Sequence, residues 1–535
     1  MAGTSATQQG HGHEHYGKTQ LIIVVMCSMA GTLMQALDTT IANVALPYMR
    51  GSLSASQDQI TWVLTSYIVA AAIMTAPVGW LAARFGKKNV LLVSMMGFTV
   101  ASMLCGAATD LTEMVVFRLL QGVFGAALAP LSQSVMIDLY PIEKRAQVMA
   151  IWGIGIMLGP ILGPTLGGFL TDAYSWRWVF YVNAPFGIAA TIGLWLTFKD
   201  THRNDSLKFD WAGFGFMALG IGSLQLMLDR GNTQDWFGSP EIILYTVLAG
   251  LGLYLFLVHL FTGKQPFLPR QMFADRNFSS SVIVMFVVGA VLLSSSALMP
   301  PFLQNLGGYT VLQTGLLLGP RGFGTIAAMI LVGKIGNKSD PRILMTIGTA
   351  AVAFSLWQMS QWTPSISFDE LLVVSIIQGF GFGMVFAPLN LVCFATLPGQ
   401  YRTDGSAFAN LVRNVGSAIG VSVSTLILTN SMQAIHAGLV HNASPFNRAL
   451  GVNGASLYLN IQLPSGQQML EGIISLRAAI ESYANDFLAM SWLSLVMFPL
   501  IWMMRRPDFT NAPQADKSVP SQGEMPDGAV PGTAE

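Results

Sequence analysis

The sequence predicts an all-α polytopic membrane protein of fourteen transmembrane helices, arranged as two six-helix bundles with two further helices inserted between them. Three observations point there. Of 535 residues, 52% are hydrophobic and 10% charged, against about 25% charged in soluble domains. Fourteen apolar runs, centred near residues 32, 70, 99, 125, 158, 188, 220, 251, 290, 323, 353, 383, 418 and 494, approach the roughly 20 residues that cross a bilayer. Phrases of the first half also return in the second at a spacing of about 257 residues, the mark of an internal repeat.

Taken in order, residues 1–18 are polar, and His11, His13 and His15 alternate there with no second ligand group. They read as a disordered tail rather than a metal site. The first apolar run is too long for a signal-peptide core and no cleavage site closes it, so it is retained as a helix. Cys27, Cys105 and Cys393 lie inside apolar runs with neither disulfide nor metal spacing, so no metal and no cofactor are expected. Loops on the amino-terminal side hold nineteen of the 27 cations, among them Arg84, Lys87, Lys88, Lys334, Lys338, Arg342, Arg505 and Arg506. The opposite loops hold five, Arg50, Arg177, Arg230, Arg448 and Arg477. That bias places both termini in the cytoplasm. The chain then divides into a first bundle over 19–199, the inserted pair over 200–264 and a second bundle over 265–506. An outer (periplasmic) loop over 432–482 carries a short amphipathic helix near Met469–Ser482, and 507–535 forms a second disordered tail.

The repeat is legible residue by residue. Gln121-Gly122 and Ala129-Pro130-Leu131 are echoed by Gln378-Gly379 and Ala387-Pro388-Leu389; Gly159-Pro160-Ile161-Leu162-Gly163 returns as Gly416-Ser417-Ala418-Ile419-Gly420. The basic loop Gly79 to Lys88 has a weaker echo at Gly333 to Arg342. The repeated unit is six helices, and parallel repeats with a midplane site describe secondary transporters better than channels or membrane enzymes. The formal net charge is zero, which leaves no footprint for nucleic acid. HExxH and GxSxG phrases do not occur, and the single GxxxxGK[ST] match, Gly12 through Thr19, lies in the polar leading segment, with the loops too short for a nucleotide domain, so ATP-driven pumping and an enzyme are both unsupported.

Chemistry is concentrated where charge enters apolar runs. An ionised Asp at a bilayer centre costs roughly 2.5–3.5 kcal/mol, so Asp38 in the first run must face the bundle interior or a wet cavity. Arg118, in the fourth run, lies in the same outer half. A cation beside the carboxylate favours its ionised form and desolvation favours the neutral one, a balance that helix movement or a cationic substrate can tip. The alternative is a structural ion pair between the first and fourth helices. In the fifth run Gly155, Gly159, Gly163 and Gly167 recur every fourth residue, with Pro160 and Pro164 among them. They suit either a close-packed pivot or ordinary tight packing. In the loop from Gly79 through Gly86, Arg84 is placed to pair with Asp138 and latch one conformation, the alternative being a turn that merely orients the chain. Arg321 and Arg413 have no obvious intramembrane acid in the second half, and they face the cavity or bind helix carbonyls. With Asn43, Gln121, Gln378 and Asn390 they are the candidates for a cavity lining. Asp229 reads as interfacial.

These phrases together resemble the major facilitator superfamily, in its fourteen-helix drug:proton antiporter branch of the EmrB type. The resemblance spans residues 18–506. It rests on Leu37-Asp38-Thr39-Thr40-Ile41-Ala42-Asn43-Val44-Ala45-Leu46-Pro47, on Arg118-Leu119-Leu120-Gln121-Gly122, and on Gly159-Pro160 through Gly167-Gly168. Ser175-Trp176-Arg177-Trp178 with Asn183 and Pro185, and Leu228-Asp229-Arg230-Gly231, complete it. It implies that Asp38 and Arg118 couple protons, that the fifth helix is the antiporter motif, and that Gly79 to Lys88 is the latch. Two departures stand out: Ala83 replaces the usual acid of that loop, and Ser417 replaces the proline in the second antiporter copy. The resemblance further implies export of hydrophobic or amphipathic drugs from the inner membrane against protons, amid membrane lipid. It also implies work with a periplasmic adaptor and an outer-membrane channel. A dedicated exporter of one metabolite, lipid or siderophore, and a non-transporting receptor or scaffold, are the competing expectations.

Overall fold

The structure, a computed structural model, describes residues 17–141, 144–199, 203–204, 207–263, 266, 268–336, 339–363, 366–442 and 463–506. Both expected tails, apart from residues 17–18, lie outside these residues. Every apolar run falls on a helix or a broken helix. In the first half these are α1 (Lys18–Ser52), α2 (Trp62–Thr75) with α3 (Val78–Phe85), α4 (Lys87–Ala107), α5 (Leu111–Gly125) with α6 (Leu128–Leu139), α7 (Arg145–Ala173) and α8 (Asn183–Thr197). The inserted helices are α9 (Trp211–Gly231) and α10 (Pro240–Thr262). The second half holds α11 (Arg276–Pro301), α12 (Val311–Ile335), α13 (Pro341–Met359), α14 (Phe368–Ala395), α15 (Arg402–Asn442) and α16 (Pro464–Leu495) with α17 (Met497–Met503).

Among the described residues eleven helices are long and apolar enough to cross a membrane, twelve when α2 and α3 count as one span bent by 57°. The bend follows Pro77, which has no N–H to give the ladder. The two remaining runs lie on α7 and α13, of 29 and 19 residues.

Packing repeats the sequence repeat. In the first half α7 and α8 lie on α1 and α5 lies on α2; in the second, α15 lies on α11 and α14 on α12. The inserted hairpin is closed by a mutual backbone approach at Gly220 and Gly252, by Arg230 Nε to Glu241 at 2.7 Å and by His259 to Asp210 at 2.9 Å. It joins both halves: Thr65 of α2 donates to Asp229, and Ser422 of α15 donates to the Leu228 carbonyl at 2.9 Å. Asp229 is thus half-buried between helices rather than simply interfacial.

The expected loop over 432–482 is corrected. Helix α15 continues to Asn442 and α16 begins at Pro464, so Met469–Ser482 is the interior of one long helix. At 1.5 Å per residue, the 41 residues of α15 span roughly 60 Å, about twice the hydrocarbon thickness. Hydropathy ends at the membrane surface, whereas the helices continue into water as a pair tied by His436 to Glu471 at 2.7 Å.

Candidate functional site: a buried ion pair and an inner seal

Asp38 and Arg118 meet in the first bundle, both side chains fully buried, with Nη1 2.6 Å from Oδ2. Gln121, one turn beyond Arg118 on α5, donates to the other carboxylate oxygen at 2.8 Å and accepts from Arg118 at 2.8 Å. Arg118 Nε donates to the Val63 carbonyl at 3.0 Å, and the guanidinium stacks 4.3 Å from the Tyr67 ring centroid. Its Nη2 is buried without an acceptor. The carboxylate is therefore held by two donors from one helix, in a low-dielectric site where such charge-assisted bonds are strong.

The glycines of α7 fix the helix that carries Asp38. A Cβ at Gly159 would overlap Ala36, one at Gly163 would overlap Thr40 and one at Gly167 would press on Ile41. Thr40 Oγ1 donates to the Gly159 carbonyl at 3.1 Å. Gly155 differs, its nearest neighbour being Met29 at 3.5 Å. Backbone runs helically through Pro160 and Pro164.

At the helix ends on the side of the amino terminus, expected to be the inner side, the two halves are sealed by polar contacts. Gln133 of α6 donates to Asn390 of α14 at 2.6 Å and accepts from Ser406 and Asn410 of α15 at 2.5 and 3.2 Å. Ser134 lies 2.8 Å from Thr403. The Arg84–Asp138 pairing is corrected: Asp138 meets Lys87 at 2.5 Å and Arg402 of the second half at 3.3 Å, while Arg84 Nη1 is buried without an acceptor. The reversal at Gly86, with φ +85°, is a left-handed turn that glycine adopts freely. It delivers Lys87, the first residue of α4, toward α6. A Cβ at Gly79 would overlap the carboxylate of Asp404, the third residue of α15. An acid from the opposite half thus lies against the loop in which Ala83 replaces the usual one.

The cavity candidates scatter. Asn43 is exposed, as is Thr39 one turn before it on the outer half of α1. Gln121, Gln378 and Asn390 are buried and engaged, Gln378 with the Met359 sulfur at 3.7 Å. Arg321 donates to Ser296 at 2.9 Å and Ser295 at 3.3 Å and lies over Phe382; Arg413 lies over Phe386, one turn further on. Sequence reading missed Asp404 and Asp486, which is buried in α16 with neither carboxylate oxygen completing a well-aligned hydrogen bond. Asp486 lies in the run centred near 494 and was visible as a charge within it.

One closed face, a repeated six-helix frame and a carboxylate–guanidinium pair inside one bundle define a multi-pass helical membrane protein of the two-bundle transporter class. The family model Major Facilitator Superfamily matches residues 28–421. The multidrug export protein EmrB of Escherichia coli K12 is 33% identical over 495 residues, 91% of this chain and 96% of its own. EmrB of Haemophilus influenzae is 36% identical, over 80% and 84%. The fatty acid resistance protein FarB of Neisseria gonorrhoeae is 34% identical, over 89% and 94%. Among solved structures, the proton:xylose symporter XylE aligns with TM-score 0.56 at 14% identity, covering 90% of this chain and 97% of its own, which supports the fold. The chain belongs to the major facilitator superfamily, in its EmrB-type branch.

Proposed function

We propose that this protein exports hydrophobic or amphipathic compounds across the inner membrane in exchange for protons, by alternating access, with both termini in the cytoplasm. The observation that carries this reading is the Asp38–Arg118–Gln121 cluster: a carboxylate buried in the outer half of a span, held by one cation and one amide. Protonating Asp38 neutralises its charge and weakens its hold on Arg118. That releases α1 from α5, while the glycine stripe of α7 transmits the movement. The inner links through Gln133, Asp138 and Asp404 form when the inner face is shut and break when it opens. The names of the EmrB and FarB relatives support amphiphiles as cargo. In this reading a periplasmic adaptor and an outer-membrane channel complete the export path.

In inverted vesicles, wild type should accumulate a fluorescent amphiphile in the lumen when the lumen is made acidic, and Asp38→Asn should abolish that uptake while remaining folded. Uptake unchanged in Asp38→Asn would sink the coupling role. A resistance profile in a strain stripped of its own pumps measures breadth. A dedicated exporter of an acidic amphiphile is the second reading, favoured by Arg321, buried, and Arg413, half-buried, two cations that lean on the aromatic face of α14. Resistance confined to fatty acids would select it.

A further inference from the structure

The second bundle contains a buried carboxylate that the proposed exchange leaves without a task. Asp486 is 1% exposed, and Ser482, Asp486, Met490 and Ser494 recur every fourth residue along one buried face of α16. Both oxygens of Asp486 are enclosed, and neither completes a well-aligned hydrogen bond. The Ser424 hydroxyl faces it from α15 and Tyr483 lies one turn before it. No countercharge faces it among the described residues. Helix α11 carries only Arg276 and α13 only Arg342, each in the first turn at the inner end, and α17 has no charged residue. On α15, Arg413 lies eleven residues inward of Ser424 and His436 twelve residues outward, roughly 16 and 18 Å along the axis.

Such enclosure disfavours an ionised carboxylate, so the site favours the neutral acid in this state. The same state holds Asp38 in an ion pair with Arg118. On the same helix, Tyr483 and Phe487 flank Asp486 in sequence and belong to an aromatic cluster. Phe302 packs on Tyr483, Phe487 and Trp362 with centroids 5.4, 6.1 and 5.9 Å away. Phe302 opens a π-helical segment, Phe302–Leu306, directly after Pro300 and Pro301. Such segments lie at local breaks of the helical ladder and are frequent at functional sites.

We propose that Asp486 is a second proton-carrying carboxylate of the transport cycle, occupied when Asp38 is vacant and reached when the Phe302 segment shifts. The step is simple: the carboxylate takes one proton from the outer side as that segment shifts and gives it up after the bundles rock. This rests on the transporter reading above.

Two measurements on the full-length protein in liposomes test it. Dicyclohexylcarbodiimide, which reacts with protonated carboxyls in apolar surroundings, should label Asp486 at neutral pH and leave Asp38 unmodified, as read by mass spectrometry. No adduct at Asp486 would overturn the proposal without recourse to any variant. With ethidium and laurate as transport probes, Asp486→Asn should still transport but with fewer protons moved per substrate and a flattened pH profile. An unchanged ratio and profile would assign the residue to structure alone. If Asp486→Asn fails to fold, Asp486→Glu should shift the pH midpoint of transport, and an unmoved midpoint overturns the idea. Wild type failing to couple either probe to a pH gradient would count against the transporter reading instead, because the labelling result stands apart from transport.

Discussion

The two halves share a frame but not its charges. Gly159 and Gly163 seat α7 on Ala36 and Thr40, and Gly416 and Gly420 seat α15 on Phe286 and Ala290. Continuing that register, Val288 occupies the position that Asp38 holds in the first half. Gly122 meets the Tyr67 carbonyl and Gly379 the Arg321 carbonyl, so Arg321 matches Tyr67 and Ser375 matches Arg118. The first half therefore satisfies its acid and base mutually. The second replaces both, moves a cation to the neighbouring helix where serines receive it, and sets its acid apart at Asp486. Backbone contacts through glycine constrain both copies equally, whereas buried charge is free to diverge once its partner is lost.

This contrast can be broken at several points. Arg118→Leu should cost about 3–5 kcal/mol in thermal or denaturant unfolding, because it strands a buried carboxylate. Arg321→Leu should cost no more than about 1 kcal/mol, since it removes a desolvated cation that has no acid to strand. Equal losses would mean that the second half hides a partner for Arg321. Gly163→Val and Gly420→Val should be alike, each losing about 1–3 kcal/mol by overpacking. Gly155→Ala, whose Cβ would meet Met29 only in ordinary van der Waals contact, should be neutral in the same unfolding measurement. Unequal losses would show that the frame too has diverged.

Smaller effects belong to the surface. Asp138→Asn removes links to Lys87 and Arg402 that are 18–35% exposed, so its cost should be about 0.2–1 kcal/mol. Its clearer signature should be faster thiol labelling of a cysteine placed at Ser134, within the polar seal between the two halves. The hydrogen bond from Arg342 holds the Asp340 carboxyl below its ordinary value. A depressed carboxyl stabilises above the unfolded value of about 3.9 and loses that contribution as pH falls through the folded one. Asp340→Asn should therefore cost under about 1 kcal/mol at neutral pH, with the difference from wild type vanishing in acid.

Much of this was readable before any coordinates. Apolar runs of spanning length, one acid in the first and a repeated glycine phrase gave the helices, the bundle plan and both members of the buried pair. Asp138 is ion-paired, but with Lys87 and Arg402 rather than with the expected Arg84, because Arg84 and Lys87 are three residues apart and only the turn at Gly86 decides which of them reaches α6. The length of α15 and α16 was hidden for a different reason: hydropathy reports contact with lipid, and a helix that leaves the membrane keeps its hydrogen bonds while losing that signal.

The sequence alone determined what must be buried, since the cost of charge and of unpaired backbone in hydrocarbon depends on composition and spacing. Partnership was decided only by the tertiary structure. Arg118 finds Asp38 across 80 residues, Arg402 finds Asp138 across 264, and Asp486 meets no well-aligned donor among the described residues, because directional bonds depend on how helices are rotated against one another, a quantity that no local pattern encodes.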